Sequence, residues 1–197
     1  FYFLLMLLGL SACSAPSAQQ DMTAEQAANF DWQGHRGARG LMPENTIPAF
    51  LKALEFPQVK TLELDLAVSQ DSILVVSHEP WMSHHICSHP DGRPVTEAEE
   101  DELLLFQMPY ERIKAFDCGS RGNERFPEQQ PIKVSKPKLS EVVKTVEAYC
   151  TQHNRPRVHY NMEIKHDPAY DGRKAPGPLT FARLVLEAAY EATLCAA

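Results

Sequence analysis

The chain reads as an α/β protein built on a largely parallel sheet. Three observations predict this: four short apolar runs separated by segments of helical periodicity, an Ile73-Leu74-Val75-Val76 run without alternation, and a length of 197 residues, enough for one domain. An unalternating run suits a strand covered on both faces. Pattern alone does not separate a doubly wound sheet from a barrel.

Taken in order, Phe30 to His35 is the first predicted strand. Thr46 to Phe56 follows as a helix, with Ile47, Phe50, Leu51 and Leu54 at helical spacing, Asn45 as expected N-cap and Pro48 tolerable in the first turn. Thr61 to Val68 is the second strand, Ser69 to Ser72 a turn, and Ile73 to His78 the third strand. Glu79 to Lys138 is mostly irregular, with one helix around Tyr110 to Phe116, and reads as a functional loop or inserted subdomain with little core of its own. Leu139 to Tyr149 is a helix starting near Ser140, Val158 to Ile164 the fourth strand, and Phe181 to Leu194 the last helix.

The hydrophobic fraction of 44% and charged fraction of 23% exclude a disordered chain and a membrane bundle. A net charge of -7 argues against nucleic acid as partner, because phosphate backbones require Lys and Arg to displace counterions. It leaves a small phosphate substrate open, since a bound cation inverts the local field. Phe1 to Leu10 is almost wholly apolar and too short to span a bilayer, which suits the apolar region of an export signal. Leu10-Ser11-Ala12-Cys13 resembles the lipobox of bacterial lipoproteins. Residues 1–12 are therefore expected to be a signal peptide, incomplete at its start because Met and a basic region are missing. Cys13 is expected to carry a lipid anchor, residues 13–29 to be a tether, and the protein to reside in the periplasm or cell envelope. In such an oxidising compartment Cys87, Cys118, Cys150 and Cys195 allow three full pairings. A Cys87–Cys118 bridge would restrain the long loop, but the sequence does not choose.

The residues that carry chemistry lie at strand ends. Glu63 and Asp65 stand two apart on one strand, so both point to one face about 6.6 Å apart along it. On a covered strand, flanked by Leu62, Leu64 and Leu66, they remain charged only around a cation or strong donors. A polar strand face in water is the competing reading. Glu163 adds a third carboxylate on a similar strand and shifts the balance toward an oxygen-ligated hard cation, Ca²⁺ or Mg²⁺. Lys165, two residues on, would face the same cavity and hold a phosphate oxygen. His35 and His78 each end an apolar strand, where catalytic side chains of parallel α/β folds emerge. Two imidazoles across a cleft can act as general acid and base near neutral pH. Arg36 offers a fork that grips phosphate. The other six histidines, His84 and His85 among them, are read as surface groups.

Together, His35-Arg36-Gly37, Pro43-Glu44-Asn45-Thr46 with Ala49 and Phe50, Glu63-Leu64-Asp65, Asp71 before Val75, His78, Pro137-Lys138-Leu139 with Glu141, and Glu163-Ile164-Lys165 resemble the glycerophosphodiester phosphodiesterase signature. The order and spacing fit from Gly34 to Lys165. The resemblance implies a TIM (β/α)8 barrel and one divalent cation on Glu63, Asp65 and Glu163. It implies His35 and His78 as the acid/base pair, Arg36 and Lys165 on the phosphate, and Glu44 in or beside the metal's ligand shell. It also implies a cap over the substrate glycerol at about 79–138. The expected reaction is hydrolysis of glycerophosphodiesters to sn-glycerol 3-phosphate and an alcohol. The alternatives are a lysophospholipase D or sphingomyelinase D-like phosphodiesterase and a non-catalytic lipoprotein that binds headgroups. Glu79 departs from the Asp that often follows the second histidine. A full barrel needs about 250 residues and eight strands. With four strands counted, the domain at 30–197 reads as roughly the first half of a barrel, truncated at its C-terminus.

Overall fold

The second strand is the axis of the sheet. In a computed structural model that describes residues 29–194, β1 (Trp32–Gly34) pairs in parallel with the first half of β2 (Val59–Val68), and β4 (His159–Ile164) pairs in parallel with β2 from Thr61 to Leu66. β3 (Leu74–Val76) runs antiparallel to the end of β2, joining Leu66 to Val76 and Val68 to Leu74 in register. The helices are α1 (Ile47–Leu54), α2 (Tyr110–Lys114), α3 (Leu139–Gln152) and α4 (Pro178–Leu194). Residues from Asp31 onward form one compact unit. The apolar run 1–10, Cys13, the tether up to Ala28 and Cys195 lie outside the described residues. Among the described residues no helix is long and apolar enough to cross a membrane.

The third strand corrects one expectation. A parallel neighbour needs a crossover of a dozen residues, whereas Ser69 to Ile73 makes a tight turn. Ser72 takes a left-handed φ of 62°, the Ser69 N–H donates to the Ile73 carbonyl, and Asp71 accepts from the Ser69 hydroxyl and from the Tyr110 N–H that opens α2. The result is a hairpin, so the sheet has three parallel staves and one antiparallel addition. Val75 is still fully buried, because the segment entering α3 covers it: Val76 N–H donates to the Pro137 carbonyl, and Val75 bridges to Lys138.

Side-chain alternation along β2 sorts two environments. Leu62, Leu64, Leu66 and Val68 join Phe50, Ala53 and Leu54 of α1, Val142 and Val146 of α3, and Phe181 of α4 in one apolar cluster. Thr61, Glu63, Asp65 and Ala67 alternate with them and face the other way. The cap of α1 is Thr46, not Asn45. The Thr46 hydroxyl accepts from Ala49 N–H at 3.3 Å, while Asn45, at φ 56°, turns its amide into the site. α3 begins one residue after Lys138, whose N–H donates to the Glu141 carboxylate at 3.2 Å. At the far end of α1, the Arg155 guanidinium donates to the carbonyls of Leu54, Phe56 and Val59, tying the helix end to the start of β2.

The segment between β3 and α3 is not without a core. Met82, Val95, Leu103, Leu105, Met108, Tyr110, Ile113 and Phe116 pack against Ala67 and Val75, with Cys87 and Cys118 joined in a disulfide inside that cluster. Irregular backbone hid this because its apolar residues follow neither helical nor strand spacing. The pairing places Cys150 as a free, buried thiol. A bridge spanning 31 residues is expected to contribute about 3–4 kcal/mol by restricting the unfolded chain. Urea unfolding of the Cys87→Ser/Cys118→Ser double variant should show a loss of that size.

Candidate active site

Register brings the carboxylates together. Asp65 and Glu163 are direct partners across β2 and β4, and Glu63 lies two residues before Asp65 on the same face. One oxygen from each of Glu63, Asp65 and Glu163 falls within 4.8 Å of the others. That separation is about twice a Ca²⁺–oxygen bond. Asp65 is 1% exposed, whereas Glu163 has 59% of its side chain exposed, because β4 pairs with β2 alone among the described strands. Burial pushes the Glu63 carboxyl above its usual range, and the neighbouring Asp65 charge adds to this, against a lowering hydrogen bond from the Arg36 N–H at 2.7 Å. Asp65 Oδ1 is buried without a hydrogen bond, its charge met by the Lys165 ammonium at 3.0 Å. Crowded all-oxygen donors of this kind, two of the three buried, fit a hard divalent cation.

The loop after β1 supplies the positive side. Gly34 is in register with Leu62, so His35 emerges at the end of the first stave. His35 Nε2 lies 3.8 Å from Glu63 Oε2, with 58% of its side chain exposed. Arg36, at φ 53°, donates through Nη1 to Glu44 at 2.8 Å and sets Nε 3.3 Å from Asp65 Oδ2. Glu44 also faces Arg39 at 3.5 Å and stands outside the three-carboxylate group. Asn45 brackets Asp65 twice, donating from Nδ2 to Oδ2 at 2.7 Å and accepting from the Asp65 N–H at 3.2 Å. Gly37 makes the loop possible. Its φ is 76°, and a Cβ there would lie 2.6 Å from the Ala49 carbonyl carbon. Gly37→Ala should therefore destabilise the protein by about 1–3 kcal/mol through backbone strain alone, read as a lowered Tm.

His78 follows Ser77, whose N–H donates to the Asp65 carbonyl at 2.9 Å. The second imidazole thus branches from a backbone tied to the carboxylate strand. Its Nδ1 lies 2.7 Å from Glu79 Oε1. Burial works to raise the Glu79 pKa, but the His78 hydrogen bond and the charges of Lys136 and His78 outweigh it, so Glu79 falls from 4.5 to about 2. A depressed carboxyl stabilises the fold fully above the unfolded value and loses that contribution as pH falls from 4.5 to about 2. Glu79→Gln should flatten the acid limb of a stability–pH curve over that interval.

Lys165 and Arg36, both expected on phosphate, are engaged with carboxylates here. Lys165 Nζ lies 2.5 Å from Glu163 as well as 3.0 Å from Asp65. Beside Arg36 a cavity of about 350 Å³ is lined by Glu44, Glu79, His84, His85 and Arg121, among others. His85 is exposed, in keeping with the surface role expected of it, and His84 is half-buried; both line this cavity. Their rings lie 3.9 Å apart, and His84 Nδ1 is 2.7 Å from Glu100. Arg121 anchors this wall by donating to the carbonyls of His84 and Cys87. Sequence reasoning missed Asn45 as a site residue, these cap residues and the buried Lys136. For Asn45 the signal is its place directly after Glu44, which its equally good fit to a helix cap obscures.

Residues 35–180 match the glycerophosphoryl diester phosphodiesterase family model. A candidate glycerophosphoryl diester phosphodiesterase from Silicibacter pomeroyi DSS-3 is 29% identical, with a TM-score of 0.70 over 83% of this chain and 54% of that one. A glycerophosphodiester phosphodiesterase from Agrobacterium tumefaciens is 21% identical, with a TM-score of 0.52 over 81% and 54%. An Oleispira antarctica phosphodiesterase, solved with its product sn-glycerol-3-phosphate, is 21% identical, with a TM-score of 0.53 over 81% and 51%. This chain therefore spans about half the length of these solved structures, and its three parallel staves with outer helices are part of a TIM barrel of the phosphodiesterase type. With the motif order, the carboxylate register and the fold in agreement, the chain belongs to the glycerophosphoryl diester phosphodiesterase family.

Proposed function

We propose that the protein hydrolyses glycerophosphodiesters to sn-glycerol 3-phosphate and an alcohol, using His35 and His78 as the acid/base pair and one Ca²⁺ or Mg²⁺ ion held by Glu63, Asp65 and Glu163. The observation that carries this reading is the convergence of three carboxylates from two adjacent staves, with His35 3.8 Å from one of them. The relative solved with sn-glycerol-3-phosphate supports the substrate class. The cation, when bound, neutralises charge on the nonbridging phosphate oxygens.

The chain's own residues account for the proton movements. A carboxylate accepts from His78 Nδ1, so Nδ1 carries the hydrogen and Nε2 is free to exchange a proton. One imidazole takes a proton from the attacking water as its oxygen bonds to phosphorus, and the other gives a proton to the alkoxide that departs as its P–O bond breaks. Arg36 and Lys165 would supply positive charge beside the phosphate. The segment between β3 and α3 caps the glycerol, with His84, His85 and Arg121 on the cavity wall. The decisive experiment is release of glycerol 3-phosphate from a panel of glycerophosphodiesters with and without added cation. Absence of release from every member would reject the reading.

We also propose export and attachment to the cell envelope through acylated Cys13, supported by the apolar run and the Leu10–Cys13 lipobox. Incorporation of labelled palmitate that disappears in Cys13→Ser is the expected result.

A further inference from the structure

Lys136 is 5% exposed and lies in a segment that the sequence presents as irregular. Its ammonium donates one hydrogen bond, to Ser77 Oγ at 2.7 Å. The Ser77 hydroxyl donates to the Glu79 backbone carbonyl at 2.6 Å, and the Glu79 carboxylate accepts from His78 Nδ1 at 2.7 Å. The position of Lys136 is set by its neighbours, because Pro137 accepts from Val76 N–H and Lys138 bridges to Val75. The charged groups facing the ammonium are Glu79, Glu44 and Asp65. A buried ammonium with one hydrogen bond is costly, and nothing in the mechanism above uses it.

We infer that Lys136 is a positioning residue for His78: through Ser77 and Glu79 it holds the imidazole in the tautomer with hydrogen on Nδ1. This inference rests on the reading of His78 as an acid/base group. The physical link is charge. The Glu79 carboxylate stays ionised, and the Lys136 charge together with the Ser77 contact draws it to its place beside Nδ1. Without the ammonium the half-buried carboxylate can turn toward solvent, and Nδ1 loses its acceptor. The hydrogen moves to Nε2, the nitrogen needed for exchange with substrate. Ser77 adds a geometric link, because its hydroxyl joins the ammonium to the backbone that carries Glu79.

The test combines ring-nitrogen NMR of His78 with steady-state kinetics on glycerophosphocholine, in the wild type, Lys136→Met, Ser77→Ala and His78→Ala. In the wild type the neutral ring is expected in the Nδ1–H form. In Lys136→Met the Nε2–H form gains, and kcat falls roughly 10- to 100-fold while KM stays within about two-fold, as for loss of a group that orients a functional side chain. Ser77→Ala removes a single hydroxyl and should shift the ring in the same direction, which keeps the test open if Lys136→Met does not fold. An unchanged His78 tautomer and kcat in a folded variant overturn the positioning role. A raised KM at constant kcat also overturns it, by placing Lys136 on substrate. Full turnover in His78→Ala would instead remove the acid/base reading, an outcome separable because the ring spectra do not depend on activity.

Discussion

Replacing His35 or His78 by alanine should lower glycerophosphocholine turnover by about 10²- to 10⁴-fold in each single variant, the range for loss of a positioned proton donor or acceptor. The two losses should not multiply in the double variant, because residues that act as one unit are non-additive. Thermal stability should barely move in His35→Ala, whose side chain is largely exposed and makes a long contact to Glu63. His78→Ala should cost more, since it leaves the Glu79 carboxylate without its hydrogen-bond donor. Turnover retained by both single variants would show that neither imidazole moves a proton in the reaction.

Removing divalent cation should abolish turnover, and adding it back should stabilise the fold. At a cation concentration about 100 times Kd the gain is about 2.7 kcal/mol, or roughly 5–11 °C in Tm for a domain of this size. The gain should shrink on acidification, because cation and proton compete for the same carboxylates. The Glu63 shift has the same sense. A carboxyl raised above its ordinary value contributes stability that is full below that value and lost as pH rises through the folded one. Without cation the fold therefore carries the cost of an ionised Glu63 near neutrality, and the cation relieves it. Asp65→Asn should lose both the Tm response and the turnover, since Asp65 is buried between Asn45, Arg36 and Lys165. A Tm that ignores Ca²⁺ and Mg²⁺ alike, with undiminished turnover in EDTA, would remove the carboxylate group from the mechanism.

Much of the site was legible in the chain itself, for local reasons. Glu63 and Asp65 share a face because strand periodicity is two, and Leu62, Leu64 and Leu66 mark the opposite face as core. His35 and His78 stand out because each closes an apolar run. The Ser69–Ser72 turn was equally legible, and its shortness carried the antiparallel pairing of β3 that the unalternating Ile73–Val76 run obscured.

From residue types and periodicity alone came the α/β class, the carboxylates sharing a strand face and the strand-end histidines; the ordered motifs added the resemblance to a phosphodiesterase barrel. What tertiary structure decided are the contacts between residues distant in the chain. It set Asp65 opposite Glu163, engaged Arg36 and Lys165 with carboxylates, drew Asn45 from helix cap to Asp65, joined Cys87 to Cys118 inside a second core, and buried Lys136 beneath Ser77. Local periodicity records which face a side chain takes. Register and long-range packing record which neighbour it meets, and no spacing along a single strand or helix encodes that.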